Sequence, residues 1–126
     1  MSVVAIGTDL VEIDRVKEVW ERHGERFVAR VLTPAEREVM AREKLPWRYL
    51  AKRFAAKEAI AKSLGTGIGV SLSWQDMELQ RDSQGAPVVQ LTHRARALAE
   101  SRGGSRVLLT LSDERAYAVA FAVMLA

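Results

Sequence analysis

A glutamate on an apolar helix face is the first residue whose type and position could do chemistry. On a helix predicted over residues 47–64, Glu58 falls in the apolar stripe with Leu50, Phe54 and Ala61, not on the polar side with Lys52 and Ala59. Burying a carboxylate is costly unless its charge is compensated. Two interpretations remain open: a structural ion pair with Lys62 or an arginine, and a metal ligand or catalytic carboxylate.

Lys62 follows Glu58 by four residues, so both side chains lie on the same side of the helix. The glycine-rich segment Gly65-Thr66-Gly67-Ile68-Gly69 comes directly after it. A carboxylate, an ammonium group and flexible backbone suit a metal-bound phosphate. The glycines follow a helix, whereas those of a Walker loop precede one. This C-terminal helix end is the negative pole of the helix dipole, so an anion bound there needs Lys62 and a cation. A plain helix C-cap and turn explains the glycines equally well.

Asp9 is a second candidate carboxylate, placed just after a first strand predicted over Val3 to Ile6. The plain interpretation is a turn or helix-cap aspartate. A strand end can also hold a carboxylate close to one on a neighbouring helix. Two such oxygen donors, with substrate phosphates and water, form the ligand set that Mg²⁺ prefers. Asp9 and Glu58 are therefore the candidate metal ligands.

The elements that must position these residues are predicted from apolar spacing, capping and turn residues. Helices are expected over 13–23, from Thr33 to about Lys44, over 47–64 and from Thr92 to Arg102. Strands are expected over 3–6, 77–81, 86–91, 106–112 and 116–125. Helices early and strands late favour an α+β fold: one domain over residues 1–126, with helices of the first half packed on a small, largely antiparallel sheet.

The composition is that of an ordinary globular protein. The chain has 126 residues, of which 48% are hydrophobic and 28% charged, which fits one domain and argues against a disordered or fibrous protein. It has no cysteine, and residues 1–5 lack the features of a secretory signal, so a cytoplasmic location is expected. The longest apolar run, residues 116–126, is too short to span a membrane as a helix, and no membrane partner is predicted.

Basic residues are concentrated in the first half of the chain. The net charge is +3, and 13 of the 19 Lys and Arg residues lie from Arg15 to Lys62. Arg15 and Arg22 project opposite the apolar side of the first helix, and Arg26 extends this face if the helix resumes after Gly24. Such a face is usually a solvated surface; it could also bind an acidic partner.

Two segments resemble the signature blocks of one enzyme family. Residues 6–13 (Ile-Gly-Thr-Asp-Leu-Val-Glu-Ile) and residues 53–62 (Arg-Phe-Ala-Ala-Lys-Glu-Ala-Ile-Ala-Lys), with the glycine-rich segment that follows, resemble those of holo-acyl-carrier-protein synthases. The second block is highly specific. The resemblance extends over nearly the whole chain, including the helix start at Leu32-Thr33 and the final strand at Tyr117-Ala118-Val119-Ala120.

The resemblance implies a 4′-phosphopantetheinyl transferase of fatty acid biosynthesis that depends on Mg²⁺. Such an enzyme moves the phosphopantetheine arm of coenzyme A onto a serine of apo acyl carrier protein and releases adenosine 3′,5′-bisphosphate. The base that takes the serine proton stays open between Glu58 through a water, a metal-bound hydroxide and a carboxylate of the partner. The resemblance also implies a homotrimer with active sites in the clefts between subunits.

Residue roles follow from the same resemblance. Asp9 and Glu58 would bind Mg²⁺ and, with Lys62, form the catalytic set. The coenzyme contacts would come from Arg53, Lys62, Gly65, Thr66 and Gly67. Arg15, Arg22 and Arg26 would meet the acidic recognition helix of the carrier protein.

One position departs from many members of the family. They carry a histidine after the penultimate strand, where this chain has Asp113, so no histidine is given a role there. His23 and His93 have no matching role and are expected at the surface.

The competing class of function is a basic, non-enzymatic module that binds nucleic acid. Aromatic residues make up 6% of the chain, and it contains no recognition-helix or stacking motif, so no nucleic-acid partner is predicted.

Overall fold

The structure is a computed structural model that describes residues 2–126, and it has the predicted α+β fold. The strands are β1 (Val3–Glu12), β2 (Met77–Arg81), β3 (Pro87–Leu91), β4 (Arg106–Asp113) and β5 (Tyr117–Leu125). The helices are α1 (Ile13–His23), α2 (Glu25–Val31), α3 (Pro34–Met40), α4 (Pro46–Leu64) and α5 (His93–Ser101), with a short 3₁₀ helix at Trp74–Asp76.

The sheets are antiparallel, as predicted. One has the strand order β1-β5-β4, and β2 and β3 form a separate hairpin. Along β5 the alternate residues Ala118, Ala120 and Ala122 are buried. Because side chains alternate between the two faces of a strand, these small residues form an inner face that lets a helix pack closely.

That helix is α4, which lies at the centre of the domain. Twelve of its 19 residues are buried, among them Ala59 at 0% exposure, so the prediction that Ala59 lies on a polar side is wrong. Ala59 is buried because Gly7 of β1 packs directly against it. A Cβ added at Gly7 would collide with the backbone oxygen of Ala59 and lie 2.8 Å from the backbone nitrogen of Ser63. The strand therefore approaches the helix at backbone distance.

β1 is longer than the sequence indicated. The sequence predicts that it ends at Ile6, but it continues to Glu12 because β5 pairs with it, residue by residue from Ala5 opposite Met124 to Glu12 opposite Tyr117. Gly7 therefore serves close packing and does not end the strand.

Several helix ends follow their sequence signals. Thr33 and Glu36 form the predicted capping box at α3, and Gly65 ends α4 with a left-handed φ of 88°. The helical path resumes after Gly24 as α2. α3 ends at Met40, earlier than the expected Lys44, because residues 41–45 form turns before Pro46.

Two apolar clusters form the core. One lies between α4, α5, the hairpin and the inner face of the sheet, and the other joins α1, α2, α3 and the first half of α4. Within residues 2–126 no helix has the length and apolar character needed to cross a membrane.

Candidate active site

Asp9 lies within β1 on the face that packs against α4. It stands opposite Ala120 of β5, two residues after Gly7. The expectation that it follows the strand is wrong, and so is the turn or cap interpretation. Its Oδ1 accepts a hydrogen bond from Nζ of Lys62 at 3.1 Å, and the same Nζ donates to the backbone oxygen of Thr8 at 2.8 Å.

Glu58 lies one helical turn before Lys62 and lines the same groove as Asp9. Burial raises the pKa of its carboxyl, the Asp9 carboxylate raises it further, and Lys62 opposes both. Its side chain has no hydrogen-bond or ion-pair partner among residues 2–126, so the proposed structural ion pair is not formed there. The two carboxylates therefore repel each other across a partly desolvated groove.

The groove itself has a volume of about 500 Å³ and is mostly apolar. Its charged lining residues are Asp9, Glu12, Arg15 and Glu58, and its apolar wall includes Val16, Val19, Phe27 and Phe54. The carboxylates thus adjoin a cleft large enough for part of a flexible ligand.

A divalent cation fits this pair of carboxylates. Positive charge between Asp9 and Glu58 would remove the repulsion that raises the pKa of Glu58. Within residues 2–126 no group of three or more acidic, His or Cys side chains could hold a metal. Two carboxylates, with phosphate oxygens and water completing the shell, match the preference of Mg²⁺.

The glycine-rich loop begins as a helix cap. The backbone N–H of Gly65 donates to the oxygens of Ala61 and Lys62, both at 3.1 Å, and that of Gly67 donates to Ala61 at 3.4 Å. Gly67 has a φ of 66°. The plain cap interpretation is therefore correct for these two amides.

Comparison with known proteins identifies the family. Residues 5–122 match the family model described as the 4′-phosphopantetheinyl transferase superfamily. A holo-[acyl-carrier-protein] synthase of Vibrio atlanticus is 50% identical over 120 residues, 95% of each chain. The chain belongs to the holo-[acyl-carrier-protein] synthase family. It is therefore an enzyme, a 4′-phosphopantetheinyl transferase.

Solved structures of other synthases have the same fold. The holo-[acyl-carrier-protein] synthase of Neisseria meningitidis superposes with a TM-score of 0.92 at 38% identity, covering 99% of this chain and 100% of that one. The Helicobacter pylori synthase in complex with coenzyme A superposes with a TM-score of 0.83 at 28% identity, covering 95% and 99%.

Arg53 does not join the carboxylate groove of this synthase chain. Its side chain is buried, with Cζ 4.6 Å from the centre of the Tyr49 ring, and its Nε has no hydrogen-bond partner among the described residues. It lines two other cavities, of about 320 and 340 Å³, and Arg81 lines both of them. Lys52 adds a third cation to the first cavity, which makes it electropositive.

The three predicted carrier-protein contacts are all exposed but differ in position. Arg15 lines the carboxylate groove. Arg26 lines an adjoining groove of about 580 Å³ together with His23, Phe27 and Arg30, while Arg22 of α1 lines neither. His23 and His93 are exposed, as expected.

Asp113 is held by two basic side chains of α4. Its Oδ2 lies 2.8 Å from Nη2 of Arg48 and its Oδ1 3.9 Å from Nζ of Lys52. Arg48 also donates to the backbone oxygens of Glu114 and Arg115, so it fixes the turn between β4 and β5.

One buried pair next to the site was missed by sequence reasoning. Lys57, adjacent to Glu58, is 0% exposed and its Nζ lies 2.7 Å from Oε1 of Glu36. The lysine belongs to the second signature block, but its burial was not predicted, because it was grouped with the exposed Lys and Arg residues around it. Its position among the small apolar residues of α4 was the available signal.

Proposed function

We propose that this enzyme transfers 4′-phosphopantetheine from coenzyme A to a serine of apo acyl carrier protein in a reaction that requires Mg²⁺, as part of fatty acid biosynthesis. The observation that carries the proposal is the meeting of Asp9 and Glu58 in one groove with Lys62 bound to Asp9. Residues of the two signature blocks, far apart in sequence, converge there.

The reaction forms one bond to phosphorus and breaks another. The serine Oγ attacks the β-phosphorus of coenzyme A, and the bond from that phosphorus to the bridging oxygen breaks, so adenosine 3′,5′-bisphosphate leaves. Such transfers depend mainly on positioning and charge stabilisation. Asp9 and Glu58 would hold Mg²⁺, which supplies positive charge to the diphosphate. Lys62, 52% exposed, would donate to the oxygens on the leaving side.

The serine hydroxyl must lose its proton to a base as it attacks. Glu58 has no ion-pair partner in the described chain, so one of its carboxylate oxygens is free to accept a hydrogen bond from a water that takes up the proton. We assign the proton to Glu58 through a water or to a carboxylate of the partner.

The separation of Arg53 from the carboxylates supports an active site shared between subunits. Arg53 and Lys62 are both proposed to contact coenzyme A, yet Arg53 lines cavities to which Asp9, Glu58 and Lys62 do not contribute. A neighbouring copy that brings its Arg53 to this groove would join the two sets. The Arg53 guanidinium would then meet a phosphate of the adenosine end.

An exposed apolar sheet face supports the proposed homotrimer. The outward residues of the β1-β5-β4 sheet include Ile6, Leu10, Leu108, Val119 and Phe121, and they are 36% to 63% exposed. In the strand register Leu10 lies beside Val119. Ile6 lies in the same cross-strand row as Leu108. The free face of an antiparallel sheet is normally polar, and a contiguous apolar patch marks an interface. Other copies of the chain would cover it.

Light scattering tests the assembly. The wild-type mass should be three times that of the 14.0 kDa chain. Phe121→Glu, at the centre of the outer face, should yield a lower mass, whereas exposed Glu38→Gln on α3 should not change it.

The cytoplasmic location inferred from the sequence stays a prediction.

Mass spectrometry of the carrier protein tests the activity. Apo carrier protein with coenzyme A, Mg²⁺ and this enzyme should gain the mass of one phosphopantetheine group, and chelation of Mg²⁺ should prevent the gain. Asp9→Ala and Glu58→Ala should abolish it, while Glu38→Ala, an exposed acidic residue outside the groove, should retain it. Full transfer by a double Asp9→Ala, Glu58→Ala variant would refute the proposed site.

A further inference from the structure

The loop after α4 has few free donors for an anion. The N–H groups of Gly65 and Gly67 are bonded back to α4, and the Thr66 hydroxyl donates to the Gly67 oxygen at 2.9 Å. The loop also follows the C-terminal end of α4, where the helix dipole places partial negative charge. The N–H groups of Gly65 and Gly67 are therefore not available to a diphosphate here, and side-chain cations next to the loop are the stronger candidates.

Lys62 has a limited capacity for this task. An ammonium group has three N–H donors. Two of them are directed at the Thr8 oxygen and the Asp9 carboxylate, at 2.8 and 3.1 Å. One donor is left for a phosphate oxygen while these bonds persist, which is little for a group with two or more negative charges.

Arg102 supplies a second cation beside the loop. It lies directly after α5, and its guanidinium packs against Gly65 so closely that a Cβ on Gly65 would collide with Nη1 and lie 3.0 Å from Cζ. Its side chain is exposed and, within residues 2–126, has no hydrogen bond or ion pair. All five guanidinium N–H donors are thus available at the loop.

We propose that Arg102 donates to the diphosphate of coenzyme A across Gly65 and so shares with Lys62 the charge of the bound substrate. The assignment rests on the proposed function, since it takes coenzyme A as the ligand of this site. A guanidinium can engage two phosphate oxygens at once, whereas Lys62 offers one hydrogen. Gly65 is required here for two reasons, its φ of 88° and the space that the guanidinium occupies.

A purely structural role makes a different prediction. A cation near the last carbonyls of a helix stabilises the helix dipole without touching a ligand. If Arg102 does only that, its loss lowers thermal stability and leaves coenzyme affinity unchanged.

Calorimetric titration of the Mg²⁺-containing enzyme separates these roles. Arg102→Leu removes every donor, and we expect the Kd for coenzyme A to rise about 10-fold, the effect of one charge-assisted hydrogen bond. Arg102→Lys should recover part of the affinity. Arg96→Leu, an exposed arginine earlier on α5, is the matched control and should bind like the wild type.

Dephospho-coenzyme A identifies the phosphate involved, because it keeps the diphosphate and lacks the 3′-phosphate. The same 10-fold loss with both ligands supports the diphosphate assignment. A loss of affinity for coenzyme A alone would place Arg102 at the 3′-phosphate and overturn the proposal. An unchanged Kd for coenzyme A in Arg102→Leu would also overturn it, whether or not the Tm falls. Failure of the proposed function is distinguishable, since the wild-type enzyme would then neither bind coenzyme A nor modify the carrier protein.

Discussion

Nζ of Lys57 and Oε1 of Glu36 lie 2.7 Å apart in the interior, with side-chain exposures of 0% and 1%. The ammonium also donates to the backbone oxygens of Val31 and Trp74, at 2.7 and 3.1 Å. The carboxylate accepts from the backbone N–H groups of Thr33 and Leu79, at 2.8 and 2.7 Å. The pair therefore satisfies four backbone groups where α2, α3, the 3₁₀ helix and β2 meet α4, next to Glu58.

Replacing Lys57 by Met should destabilise the fold strongly. Burial lowers the pKa of Lys57, and Glu36 opposes that shift. Removing the ammonium leaves a buried carboxylate without its counter-ion and takes a charged donor from two backbone carbonyl groups, which costs about 3–5 kcal/mol. Urea unfolding of Lys57→Met should show this loss. Lys52→Met, which breaks a half-exposed pair at 3.9 Å, should change the unfolding free energy by less than about 1 kcal/mol. Equal effects of the two changes would contradict the role given to the buried pair.

Gly7→Ala should separate β1 from α4. The new Cβ would overlap the Ala59 backbone, which cannot move away as a flexible side chain could, and overpacking of this kind costs about 3 kcal/mol. Asp9 lies two residues further on the same face, so the rate of transfer should fall as well. Chemical unfolding and the transfer assay measure the two effects. Gly69→Ala is the matched control and should leave stability nearly unchanged, because no described residue apart from its two chain neighbours has an atom within 4 Å of the added Cβ.

The proposed catalytic groups, which the structure brings together, could be singled out from the sequence because their signals are local. Glu58 and Lys62 are spaced by one helical turn, and Asp9 lies in a short motif, so each was found without knowledge of the fold. The extent of β1 was missed because Gly7 resembles a strand break, and its close contact with Ala59 depends on the tertiary packing of α4. The ion pair of Glu36 was not predicted, because its role in the capping box already explains a glutamate at this position. Its partner Lys57 also lies 21 residues away in the sequence.

The Glu78 carboxylate should make stability dependent on pH in the acid range. Hydrogen bonds from the hydroxyl of Thr33, at 2.6 Å, and from the Gln80 amide lower its pKa. The unfolded chain therefore binds the proton at a higher pH, so this contribution is present above the ordinary glutamate pKa of about 4.3 and is lost as the pH falls through the lowered value.

Unfolding of Glu78→Gln at several pH values checks this dependence. The variant should be about 0.5–1 kcal/mol less stable than the wild type near pH 7, a modest figure because the side chain is partly solvated. The difference should shrink towards zero below about pH 4. A difference that stays constant across this range would show that the charge of Glu78 has no part in it.

Charge reversal should distinguish Arg26 from Arg15 as contacts for the carrier protein. Arg26 lines a groove that Asp9 and Glu58 do not line, so Arg26→Glu should raise the KM for the carrier protein about 10-fold or more and leave the KM for coenzyme A nearly unchanged. Arg15 lines the carboxylate groove itself, and Arg15→Glu would replace its one basic lining residue with a further negative charge. It should therefore raise the Mg²⁺ concentration needed for half-maximal rate, and lower kcat, in addition to its effect on the carrier protein.

Steady-state kinetics with each substrate varied in turn measures the effects of both charge reversals, with Arg96→Glu on α5 as the control. Equal loss of coenzyme A and carrier-protein affinity in Arg26→Glu would contradict the assignment of α2 to carrier-protein binding.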